Sequence, residues 1–155
     1  MTNDTSSSEF EMVKTCVEQA IEEFRNRDLQ LLQLTVDERA STHRIACYLQ
    51  KYFPEWHVDC EYNRKGSIPK PTPDTSTNAR VKPDIIIHKR NTEANLLCIE
   101  AKKKGGRLSE DRKRLIGFTS RTGTYRYQFG LLLILSLKNP YRIEYEWFQN
   151  GVHFE

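Results

Sequence analysis

Apolar side chains recur at three- and four-residue steps at Phe10, Val13, Val17, Ile21 and Phe24. That spacing places them on one face of an amphipathic helix. The polar stretch Arg25-Asn26-Arg27-Asp28 interrupts the pattern, and Leu29, Leu31, Leu32 and Leu34 form a second apolar patch. Residues 9–34 therefore predict an N-terminal helical extension, a lid or a packing addition to the core. Residues 1–8, rich in Ser and Thr and lacking any apolar period, read as a disordered tail.

A second helix is predicted from Asp37 to Phe53. Thr35 with Glu38 three residues on fits a capping box, Ile45, Ala46, Leu49 and Phe53 form its apolar stripe, and Pro54 stops it. Residues 57–63 alternate with period two, placing Val58, Cys60 and Tyr62 on one face and Asp59, Glu61 and Asn63 on the other. That is a strand pattern. Residues 64–80 hold three prolines, a glycine and several Ser/Thr and read as a long loop. Two apolar runs separated by a polar turn, 84–89 and 96–102, predict a hairpin. After Gly105-Gly106, Ser109 is a candidate cap for a helix to about Ser120. Residues 128–137 read as a long central strand, and 141–149 as a strand with one wetter face. The order is helix, helix, three strands, helix, two strands.

With 155 residues, 37% hydrophobic and 29% charged, the chain suits one soluble domain, 35–155, with the helical extension packed on it. No apolar run approaches the length of a membrane span, and the N-terminus lacks the pattern of a signal peptide. A cytoplasmic protein without membrane partners is expected. Cys16, Cys47, Cys60 and Cys98 form no C-x-x-C pair and are expected as buried thiols in a reducing compartment. The net charge of +3 is modest, but residues 102–114 hold seven basic side chains against two acidic ones. One face suited to a polyanion, or simply a solvated helix face, accounts for that.

The candidate chemistry lies in the hairpin. Pro83-Asp84 opens the first apolar run and Glu100-Ala101-Lys102 closes the second. Residues two apart on a strand share a face, so Glu100 and Lys102 project together and Ala101 points away. Asp84, at the start of the neighbouring strand, falls beside Glu100. Two carboxylates so placed repel unless a cation lies between them, and Mg²⁺ or Mn²⁺ suits oxygen ligands of this kind. Lys102 is placed to orient an attacking water. Taken singly, Asp84 is also a turn residue after proline, and Glu100 with Lys102 also a same-face ion pair.

Asp84 and Glu100-Ala101-Lys102, preceded by Pro83, resemble the signature of the PD-(D/E)XK nuclease superfamily. The element order from about Asp37 to Leu137 resembles its restriction-endonuclease-like αβββαβ core. Here that α/β core, a mixed central sheet flanked by helices, would carry an extra N-terminal helix and a C-terminal strand. The stretch 38–63 and the hairpin are also similar to a set of small bacterial proteins. The resemblance implies a phosphodiesterase dependent on Mg²⁺ or Mn²⁺, acting on DNA. Asp84 and Glu100 would be metal ligands, the Ala101 carbonyl a third, and Lys102 would position the nucleophile. Glu38 matches a glutamate that many members add from the first core helix, and it fits the capping box equally well. Lys103, Lys104, Arg107, Arg112, Lys113 and Arg44 are candidate phosphate contacts. His88 shares the face of Asp84, and Tyr125-Arg126-Tyr127 offer either stacking or buried packing. Target choice would need a homodimer mate, a targeting protein or the loop 64–80. The alternatives are a nuclease-fold module that binds nucleic acid without cutting it, and a protein-interaction subunit.

Overall fold

The alternation of apolar residues along the strands splits the interior into two layers, one on each face of a single sheet. In the computed structural model the described residues are 3–33, 38–60, 64–65, 68–69, 82–136 and 141–155. Side chains are described for 5–31, 39–60, 82–136 and 141–155. The elements are α1 (Asn3–Gln33), α2 (Glu38–Tyr52), β1 (His57–Cys60), β2 (Arg64–Lys65), β3 (Ile68–Pro69), β4 (Ile85–His88), β5 (Asn95–Lys103), α3 (Leu108–Thr119), β6 (Phe129–Ser136), β7 (Arg142–Gln149) and β8 (Val152–His153). The fold class is α/β. Six strands form one mixed sheet in the order β1-β4-β5-β6-β7-β8, and β2 pairs with β3 in a separate hairpin. Only β5 and β6 pair in parallel, with α3 in the connection between them; the other described pairings are antiparallel.

One core layer holds Phe10, Val13, Val17, Ile21 and Phe24 of α1 and Ile45, Leu49 and Phe53 of the α2 region. These pack on Ile85, Ile87, Leu97, Ile99, Ala101, Leu131, Leu133 and Trp147 of the sheet. The opposite layer holds Leu115 and Phe118 of α3 against Ile86, Cys98, Leu132, Ile134 and Phe148. Strands β4, β5, β6 and β7 thus send alternate residues to α1/α2 and to α3, as the two-residue period requires. The buried stripe of α1 belongs to the same layer as that of α2, so the N-terminal helix is an integral part of the core. Gly130 lets α3 lie close on β6: a Cβ there would meet Thr119 Cγ2 at 3.0 Å and Leu115 Cδ2 at 3.3 Å.

Several sequence expectations need correction. Helix α1 begins at Asn3, inside the stretch read as a tail; no Gly or Pro interrupts 3–10, so the packed turn at Phe10 extends towards the N-terminus. The weak point at 25–28 is a kink at Asp28, whose φ of −123° and ψ of 16° are not helical. Asp28 Oδ2 accepts hydrogen bonds from Tyr48 Oη at 2.5 Å and Arg44 Nε at 3.2 Å, so α2 holds the kink. Ser109 is not the cap of α3: Arg107 precedes the helix, with no side-chain capping bond. Inside 64–80, Arg64–Lys65 and Ile68–Pro69 pair as two short antiparallel strands, and the rest of the expected loop, 66–67 and 70–80, lies outside the described residues. A final strand, β8, lies beyond the last strand the pattern predicts and follows the turn at Asn150 (φ 55°) and Gly151 (φ 78°). The cysteines form no disulfide, but only Cys98 is buried; Cys16 is half-buried, and Cys47 and Cys60 are exposed.

No helix among the described residues is long and apolar enough to cross a membrane.

Candidate active site

β4 and β5 pair with Ile85 opposite Ile99 and Ile86 opposite Cys98. One step further along that register sets Asp84 opposite Glu100. Asp84 has the parity of Ile86, and Glu100 and Lys102 have the parity of Cys98. Their β6 neighbours in the register, Leu132 and Ile134, lie in the α3-side core. Asp84, Glu100 and Lys102 therefore share the sheet face that α3 covers, while Ala101 is buried on the other face.

Asp84 is half-buried and is fixed by the backbone: the Ala101 N–H donates to its Oδ2 at 2.8 Å. Burial pushes its carboxyl above the ordinary carboxylate range, against the opposing pull of the Ala101 N–H, a hydrogen bond with Glu100 and the charge of Lys102. Glu100 is only 3% exposed. Burial first, and then the neighbouring charge of Asp84, push it well above its usual range, while Arg114 acts in the opposite direction. Glu100 Oε1 is buried and accepts no hydrogen bond among the described residues.

Sequence reasoning missed two residues beside this pair. Asp111 and Arg114 sit on α3, and Arg114 Nη2 donates to Asp111 Oδ1. Arg114 Nε lies 3.5 Å from Glu100 Oε1. Asp111 is fully buried. A signal for it existed: Asp111, Leu115 and Phe118 follow the i, i+4, i+7 spacing of the buried helix face. The surrounding run of charges hid that signal.

The residues present fit a divalent cation as a two-carboxylate set. Two adjacent acidic side chains, one with a buried unpartnered oxygen, make an arrangement that a hard cation stabilises. No group of three or more His, Cys, Asp or Glu side chains among the described residues is arranged to hold a metal ion. Glu38 opens α2, but its side chain lies outside the described residues, as do those of Glu61 and Asn63.

The expected phosphate contacts are engaged to differing degrees. Arg112 makes two hydrogen bonds to Glu146, at 2.8 and 2.7 Å, and so holds α3 against β7. Lys104 pairs with Glu144 at 3.3 Å, Lys113 with Glu110 at 3.6 Å, and Arg44 with Asp28. Lys103 is half-buried and Arg107 exposed. His88 shares the face of Asp84 but lies at the far end of β4, where its Nε2 meets Asp59 Oδ2 at 2.7 Å. Arg90 makes a forked contact with the same carboxylate. Burial opposes charge on Asp59, but hydrogen bonds from Arg90 and His88 outweigh it and hold the carboxyl below its usual range. His88 is thus the partner of Asp59 and does not line the Asp84–Glu100 site. Tyr125 and Tyr127 are buried, with ring centroids 4.8 and 6.2 Å from that of Phe118, so they are packing residues; Arg126 is exposed.

Comparison of the chain with protein-family models, with curated proteins and with solved structures finds no match.

Proposed function

We propose that the chain is a divalent-metal-dependent phosphodiesterase that hydrolyses nucleic acid, with DNA as the preferred substrate. The observation that carries this reading is the juxtaposition of Asp84 and Glu100 on one sheet face, with Lys102 two residues further along that face. The order α2, β1, β4, β5, α3, β6 supports placing it among the PD-(D/E)XK nucleases, with the short β2–β3 hairpin inserted after β1.

Asp84 and Glu100 would hold Mg²⁺ or Mn²⁺, with Glu38 and the Ala101 carbonyl as the further ligands the family pattern suggests. When bound, the ion would neutralise a phosphate oxygen and acidify a water. The chain's own residues do the rest. The Ala101 N–H orients the Asp84 carboxylate. Burial makes Glu100 reluctant to ionise without a cation. The Lys102 ammonium donates a hydrogen bond to the attacking water and offsets charge that accumulates on the phosphate. Lys103 and Arg107 follow on the same stretch of chain and are the leading candidates to grip flanking phosphates.

Action in the cytoplasm suits a chain without disulfides. Target choice would fall to a second copy, a partner protein or residues 64–80.

A second reading, a module that binds nucleic acid without cutting it, draws on the contact of Arg114 with Glu100, which already supplies a cation to that carboxylate. The two readings separate in one assay: labelled duplex DNA and RNA incubated with Mg²⁺ or Mn²⁺. The nuclease reading expects metal-dependent cleavage of DNA that Lys102→Ala abolishes. Binding without cleavage under any of these conditions would favour the module.

A further inference from the structure

Helix α3 buries one carboxylate and aims one guanidinium at the Asp84–Glu100 pair. The Asp111 side chain is 1% exposed and that of Glu100 4%, whereas that of Arg114 keeps 24% and so retains a path to water. Arg114 donates to Asp111 Oδ1 through Nη2. Its Nε stands 3.5 Å from Glu100 Oε1, yet the two make no hydrogen bond to each other. Asp111 Oδ2 is likewise buried and without a hydrogen-bond partner among the described residues. Buried charges are normally paired by directional hydrogen bonds as well as by proximity. Here one guanidinium lies beside two buried acidic side chains and the bonds are only half made.

That arrangement is hard to explain as a structural clamp. A clamp would resemble Arg112, two residues earlier, whose fork is fully docked on Glu146. Arg114 instead rests beside Glu100 while being tethered elsewhere. We propose that Arg114, tethered by Asp111, is a built-in cation that stands against Glu100 when no metal is bound and competes with a divalent ion for that side chain. Arg114 is therefore a positioning residue that regulates the site. The inference rests on the reading of Asp84 and Glu100 as metal ligands and adds a determinant of their affinity. Its physical logic is a trade. Without Arg114, Glu100 and Asp111 would share a dry region with no cation from α3 between them. With it, an incoming ion must first shift a cation towards solvent, pivoting about the bond to Asp111.

The test is calorimetric titration of the metal-free protein with Mn²⁺, with no nucleic acid present. Arg114→Gln should bind manganese about tenfold more tightly than wild type, since it removes a unit positive charge a few ångströms from the ligand. Asp111→Asn should bind more weakly, because Arg114 then turns wholly to Glu100. Arg112→Gln carries the same change of charge on the same helix and should alter affinity less than twofold. Should Arg114→Gln not fold, Arg114→Met serves: it keeps an unbranched apolar stem and removes the same charge, so it too should bind manganese more tightly than wild type. Wild-type binding with no gain in the Arg114 variant that folds overturns the competition and leaves the metal site standing. Absence of manganese binding in wild type and in that variant overturns both.

Discussion

The Ala101 N–H donates to Asp84 Oδ2 at 2.8 Å, so the strand that carries Glu100 and Lys102 also fixes the carboxylate of its neighbour. A main-chain donor inside the Glu-x-Lys triplet thus sets the geometry of an acid seventeen residues away. The first prediction concerns this bond. Asp84→Asn keeps an acceptor for the Ala101 N–H and should fold with near-normal stability while losing metal binding. Asp84→Ala leaves that donor without its partner and should cost a further 1–3 kcal/mol or so. Urea denaturation of the two variants checks the difference; equal stability would show that the bond contributes nothing.

Glu100 makes the folded protein sensitive to pH. Its carboxyl is raised well above the usual range, first by burial. The folded state therefore holds a proton that the unfolded chain releases at lower pH. For an acid shifted this way, the stabilising contribution is complete below the unfolded-state value and disappears as pH rises through the folded-state value. Asp84, also raised, acts in the same direction. Glu100→Gln should therefore be more stable than wild type at pH 8, with the advantage vanishing near pH 4. Melting curves across that range in a metal chelator measure it.

Helix α1 should behave as core. Phe24 is fully buried, and Phe24→Ala should cost about 3–5 kcal/mol. Removal of residues 1–33 should yield insoluble or unfolded protein, because it uncovers the apolar face shared with α2. A truncated chain with a normal cooperative transition would contradict this.

The basic residues should divide by their present partners. If the chain binds DNA, Lys103→Ala and Arg107→Ala should each lower the salt dependence of binding by about one unit of slope. Arg112→Ala should change the slope less but lower stability, since its fork is occupied by Glu146. Binding titrations at several salt concentrations separate these outcomes.

Much of this architecture is legible in the residues themselves, and the exceptions have physical causes. Phe10 to Phe24 and the run 128–137 declare a helix and a central strand because burial imposes a period on each. Asp84 and Glu100 declare their shared face because strand alternation leaves little freedom once the hairpin register is set. Asp111 and Arg114 do not declare themselves: within Glu110-Asp111-Arg112-Lys113-Arg114, charge says surface, and only projection onto the helix face of Leu115 and Phe118 says otherwise. The strand β8 hides because it is two residues long, although Asn150-Gly151 is the dipeptide that favours tight hairpin turns. The kink at Asp28 depends on Tyr48 and Arg44, some twenty residues away in sequence, which no local pattern could supply.

The most direct measurement is anomalous diffraction from crystals grown with Mn²⁺. A manganese peak should stand about 2 Å from oxygens of both Asp84 and Glu100, with Arg114 drawn back from Glu100 towards solvent. Crystals at saturating Mn²⁺ without a peak between these two carboxylates, and with Arg114 still against Glu100, would contradict the assignment of this site as the metal centre of a nuclease.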